Sequence, residues 1–295
     1  MTEKLKGSLS ILLATIIWGS TFVAQSVGVE KVGAFTFLAI RTALAVLVLL
    51  GALWVRNRKS FLTILTNPRL WKVALPCGIA LFAATAFQQV GLIYTTAGKA
   101  GFITAMYILL VPIFGLFLKR KPSITVVFSV VIAAVGLYLI SGAGLGAVNI
   151  GDVLMLGCAV AFAVQIMIVD RVAGELDSMA LNMAQSLVAG VISAMFMLLT
   201  EELVLTDILS CWLPLSYAGV LSMGIAYTLQ IVGQKSLEPT TASLLMSFES
   251  VFAALSGWLI LQESFTMTEG IGCVLVFAAI ILSQIPVRPR KKAPV

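Results

Sequence analysis

The chain has 295 residues, 60% of them apolar and only 11% charged, with a net charge of +6. Ordinary soluble domains carry about 25% charged residues, and a soluble fold of this length could not hide so much apolar surface, so composition places the chain in a bilayer. The basic residues sit in short connectors rather than on one polar face, which excludes a nucleic-acid binder, and with no histidine any proton chemistry falls to carboxylates, Lys or Tyr.

A spanning helix needs about 20 mostly apolar residues. In chain order the stretches that qualify are Ser8–Val27, Ala34–Val55, Leu70–Gly91, Gly98–Leu118, Ser123–Ser141, Gly151–Val169, Met179–Leu199, Trp212–Val232, Thr240–Leu261 and Thr268–Ile285. The expected fold is therefore an all-α polytopic membrane protein with ten transmembrane helices. Alternating barrel-strand patterns are absent, and lipid forbids unpaired backbone. The first stretch is of full spanning length and reads as a retained helix, not a cleaved leader.

The connectors orient these spans. With the N-terminus inside, every basic residue falls on an inside segment except Lys31, outside, and Lys99 and Arg41, which lie within apolar stretches. Glu201, Glu202 and Asp207 share an outside connector that has no basic residue. Both termini are thus expected in the cytoplasm, with the chain in a bacterial cytoplasmic membrane. The Gly-rich run Ser141–Gly146 divides five spans from five, and an odd number per half implies inverted repeats. The expected organisation is a first repeat over 1–141, a linker at 142–150, a second repeat over 151–287 and a basic tail at 288–295. Thr95-Thr96-Ala97 leads into the fourth span and Thr240-Thr241-Ala242 into the ninth, a trace of that repetition.

Several segments together carry a resemblance to a known family. They are Trp18-Gly19-Ser20 with Phe22 in the first span, and Phe35, Phe37 and Arg41 in the second. Gly91 to Ala97 forms the junction of the third and fourth, and Glu249 to Glu263 the ninth and its exit. Nearly the whole chain resembles the ten-helix EamA-type members of the drug/metabolite transporter superfamily. That resemblance implies two inverted five-helix repeats, alternating access, and export or exchange of amino acids and related metabolites. The chain departs from the family twice. Ser250 stands where a proline usually follows the ninth-helix glutamate, which bears on a helix kink. Lys119, Arg120 and Lys121 stand where an acid often closes the fourth helix, which bears on a salt-bridge gate.

Polar residues inside the spans are the candidate site. An ionised carboxylate at mid-membrane costs about 2.5–3.5 kcal/mol on insertion scales, so Glu249 should face a cavity or a partner. It could bind substrate, couple protons or make a structural pair. Arg41 cannot deprotonate and could hold a substrate carboxylate or pair with Glu249. Lys99 could anchor the helix at the interface or attract solutes at the mouth. Asp152 suits its helix N-terminus. Gln88, Gln89, Gln165, Asn182, Gln185 and Gln230 could bind a zwitterion or join helices. Tyr107 and Tyr227 are candidate cavity walls, and Trp18 either packs or contacts substrate. Among Pro76, Pro112 and Pro214, Pro112 is the best candidate for a functional kink. The four cysteines read as small buried hydrophobes.

No GxxxxGK[ST] or GxSxG motif is present, and HExxH needs histidine, so no nucleotide, metal or other cofactor is expected and the chain does not read as an enzyme. The expected activity is secondary transport of a small organic metabolite through a central polar cavity, with proton coupling by Glu249 as an option. The competing readings are a non-transporting sensor or assembly component, and an intramembrane lipid enzyme.

Overall fold

The computed structural model describes residues 2–120, 122–140, 149–262, 264 and 266–284. The expected linker at 142–150 falls mostly outside these, as do Lys121, Glu263 and the tail from Ile285 onward. The described residues are helical almost throughout, and the apolar stretches are helices because only an internally bonded backbone is stable in lipid.

The helices in chain order are α1 (Glu3–Val29), α2 (Ala34–Arg56), the short α3 (Phe61–Leu65) and α4 (Pro68–Gly91). Next come α5 (Ala97–Thr104), α6 (Tyr107–Phe117), α7 (Ile124–Ile140), α8 (Ile150–Val172) and α9 (Ser178–Thr200). After α10 (Leu205–Ser210) and α11 (Trp212–Ser216), Tyr217–Ala226 is π-helical and leads into α12 (Tyr227–Gln234). The chain closes with α13 (Pro239–Met246), α14 (Glu249–Leu261) and α15 (Met267–Gln284). Among the described residues, eight helices or joined helix pairs are long and apolar enough to cross a membrane. Two shorter apolar helices, Ile124–Leu139 and Gly270–Ser283, lie where the fifth and tenth spans are predicted.

Five of the helices begin on a residue whose side chain satisfies a first free N–H group. Thr2 accepts from the Leu5 N–H, Asn67 from Arg69, Thr96 from Lys99 and Asp177 from Ala180. Asn149 and Asp152 form a reciprocal capping box at α8. Asp152 thus takes the helix-start role its position suggests.

Contacts sort the connectors to two ends of the bundle. At one end Arg56 pairs with Asp177, Arg69 with Glu175, Arg120 with Asp170, and Lys235 donates to the Leu176 carbonyl. Gly7 of α1 packs there against the Gly233 carbonyl. At the other end Lys99 pairs with Asp152. The Glu201 carboxylate there accepts from the Phe35 and Thr36 N–H groups at 2.8 and 2.7 Å, capping α2 from across the bundle. A Cβ on Gly33 would fall 2.2 Å from that carboxylate, so only glycine admits it.

Two helices are interrupted in the same way. The α5–α6 helix breaks at Ala105-Met106 and the α13–α14 helix at Ser247-Phe248. The expected hinge, Pro112, lies inside α6, beyond the break. The second break forms without any proline. The hydroxyls of Ser243, Ser247 and Ser250 donate to carbonyls three residues back, and such back-bonding bends helices. The two Thr-Thr-Ala runs are not structural equivalents: Thr95 precedes α5 and its cap, whereas Thr240 is the second residue of α13.

Candidate functional site

The breaks bring the restart residues of both helices to the middle of the bundle. Tyr107 begins α6 and Glu249 begins α14, and the Tyr107 hydroxyl donates to Glu249 Oε1 at 2.9 Å. Glu249 is 6% exposed and Arg41 2%. Both line one central hollow that also takes in Trp18, Gln25, Gln88 and Tyr227. The hollow holds about 460 Å³ of empty space, of which only about 30 Å³ is open to the centre of a water molecule. That is room for about two waters.

Arg41 and Glu249 do not pair. The Arg41 Nη1 group donates to Gln25 Oε1 at 2.7 Å, and the guanidinium lies 5.7 Å from the centre of the Phe37 ring. Its Nε and Nη2 groups are buried without a partner, as are Trp18 Nε1 and Gln230 Oε1. An unmet buried polar group costs roughly 1–3 kcal/mol, more for a charge. Four such atoms, three donors and one acceptor, therefore sit on residues that line one hollow. The walls between them are apolar and aromatic. Trp18 meets Tyr227 edge-on at 5.0 Å, Phe162 stacks on Tyr227 at 6.5 Å, and Phe22, Met223 and Met246 complete the lining.

The sequence-predicted residues divide between the hollow and its support. Glu249, Arg41, Gln88, Tyr107, Tyr227, Gln230 and Trp18 line it. Gln89 is fully buried beside it and donates to the Gln25 carbonyl. Gln165 and Gln185 belong to a buried amide chain. Gln230 donates to Gln165 at 3.0 Å, Gln165 to Gln185 at 3.1 Å, and Gln185 to Asn182 at 3.1 Å. Asn182 ends the chain by donating to the Met223 and Gly224 carbonyls, both at 2.9 Å, in the π-helical segment. These amides join three helices, as intramembrane amides do. Lys99 is not brought to the hollow; it lies 2.8 Å from Asp152, tying α5 to α8. Gln25 was missed by sequence reasoning. The signal was there, an amide about two turns from Trp18 on the same apolar helix.

The sequence pattern of the EamA-like transporter family matches residues 5–142 and 149–284. An "Uncharacterized transporter" of Archaeoglobus fulgidus (strain ATCC 49558 / DSM 4304 / JCM 9628 / NBRC 100126 / VC-16) is 31% identical, over 97% of this chain and 88% of that protein. "Uncharacterized transporter YoaV" of Bacillus subtilis (strain 168) is 21% identical, over 97% and 99% of the two chains. A solved structure titled "Crystal structure of protein" has the same fold. Its TM-score is 0.77 at 21% identity, with 94% of this chain and 96% of that one covered.

Proposed function

We propose that this chain, which belongs to the EamA-like transporter family, is a secondary active transporter of small organic metabolites such as amino acids, working as an exporter or exchanger. The carrying observation is the set of unmet hydrogen-bonding atoms around the central hollow. Arg41 and Trp18 offer donors to a carboxylate. Gln230, and Glu249 when ionised, offer acceptors to an ammonium or hydroxyl group, and the aromatic and Met walls receive an apolar remainder. Glu249 either binds the guest or carries a coupled proton.

Alternating access follows from two five-helix repeats, 1–141 and 151–287, of opposite orientation. The helix pairs support this organisation. When each span is exchanged for its counterpart five later, α4 against α8 becomes the π-containing eighth span against α1, and α1 against α14 becomes α8 against α6. All of these pairs pack. The matched breaks at Ala105 and Ser247 supply corresponding flex points in the two halves. The segregation of connectors to two ends supports an even number of spans, with both termini on one side. The basic bias of that side makes it the cytoplasmic face of a bacterial cytoplasmic membrane. On this reading the guest reaches the hollow when the halves rock apart.

The test is a substrate screen with purified protein in proteoliposomes under imposed pH and voltage gradients. Gradient-dependent uptake of an amino acid or related metabolite, lost in Glu249→Gln, is expected. If no such solute moves, or if the variant transports like the wild type at every pH, the reading fails.

A further inference from the structure

A second hollow, with about 1120 Å³ of empty space, lies on the outside of the bundle at the end where α1 begins and α15 ends. Leu5 and Leu9 of α1, Leu245 and Phe248 at the α13–α14 break, and Phe277 and Ile281 of α15 wall it. It exists because α1 packs on α13 and α14 while α15 packs mainly on α7. The first and last helices stand apart, and Phe248 at the break in the ninth span is only partly buried between them. Leu5, Leu9, Phe277 and Ile281 are each between 42% and 52% exposed. Water gains nothing from such walls, whereas an acyl chain fits them.

We propose that this groove binds an anionic phospholipid, with one acyl chain along its apolar walls and the phosphate at Lys4 on its polar rim. Lys4 is exposed and has no ion pair among the described residues, whereas Lys6 is paired with Glu3. An unpaired cation on the rim favours an anionic headgroup over a zwitterionic one. The groove also touches the transport machinery. Phe248 directly precedes Glu249, and its ring lies 5.1 Å from Phe252 and 5.9 Å from Phe277. An acyl chain here props the outer side of the break whose inner side carries Glu249. The lipid site stands whether or not the proposed substrate is correct.

The experiment is native mass spectrometry of the purified full chain titrated with phosphatidylglycerol or phosphatidylcholine. The wild type should retain phosphatidylglycerol about fivefold better, the effect of one basic residue at a membrane surface. Lys4→Glu should abolish that preference while phosphatidylcholine binding is unchanged, and the residue is exposed enough that folding is not at risk. The double variant Leu9→Trp with Ile281→Trp, which fills the groove, should lose most of the phosphatidylglycerol adducts. Equal retention of both lipids by the wild type overturns the proposal, as does full retention by the filled variant. A wild-type dimer, abolished by filling the groove, would assign the face to a second copy and also overturn it.

Discussion

Tyr107 and Glu249, 142 residues apart in the sequence, meet at 2.9 Å because each is the first residue after the break in its own helix. A helix start exposes N–H groups and a locally positive dipole. The carboxylate therefore sits at the restart of α14 and takes the hydroxyl of the residue at the restart of α6. Replacing Tyr107 with Phe removes the donor and leaves the ring's volume. Transport should fall about tenfold, a loss of the order of one charge-assisted hydrogen bond, with normal yield. Uptake rates in proteoliposomes, beside Glu249→Gln as the null, measure this. Wild-type rates in Tyr107→Phe would show the contact to be incidental.

Arg41 lines the hollow, is held by Gln25 on one nitrogen, and keeps its Nε and Nη2 without a partner. Arg41→Lys keeps charge but not the planar fork, and should raise the half-saturating substrate concentration about tenfold or more. Gln25→Leu removes the acceptor that aims the guanidinium and should give a smaller loss of the same kind. Competition binding on purified protein reads both. If Arg41→Lys binds substrate as well as the wild type, a simple charge role replaces the fork.

Gly19 and Gly51 form a contrast on the first two spans. A Cβ on Gly19 would lie 2.3 Å from the Phe252 Cβ and 2.7 Å from the Glu249 carbonyl, so α1 and α14 touch backbone to backbone there. Gly19→Ala should cost about 1–3 kcal/mol by overpacking and displace Glu249. Gly51 has nothing within 4 Å, so Gly51→Ala should leave stability unchanged or raise it by up to about 1 kcal/mol. Thermal unfolding in detergent separates the two, and equal melting temperatures would contradict the packing.

Asp177, outside the membrane, caps α9 and pairs with Arg56. Partial burial pushes its carboxyl up, but hydrogen bonds from Arg56 and the Ala180 N–H and the charges of Arg56 and Lys235 outweigh that and hold it below its usual value. A depressed carboxylate contributes stability that is present above its unfolded-state value and lost as pH falls through the folded one. Asn caps a helix about as well as Asp, so Asp177→Asn removes only the charge. The variant should melt below the wild type at neutral pH, with the gap closing under acid. A gap independent of pH would show that the charge contributes nothing.

Much of this was legible in the sequence for definite reasons. Helices were readable because lipid leaves a spanning segment no other backbone partner, and the basic connectors sorted to one end because charge and topology are linked. Arg41 and Glu249 announced themselves because ionisable groups at depth must meet something polar. What they meet was decided by tertiary structure alone. Charge pairing would have joined them, but Gln25 reaches Arg41 first and Tyr107 reaches Glu249. Lys99 went to Asp152 because the start of α5 faces that of α8. The site's amides split between wall and scaffold according to which helix face they occupy, and the mean hydropathy of a span does not encode its rotation. The break before Glu249 likewise formed without a proline to mark it in advance, among serines whose hydroxyls bond back to the main chain. One-dimensional composition fixes how a chain dissolves in a bilayer; which buried polar groups face one another depends on packing between residues from 16 to 142 positions apart.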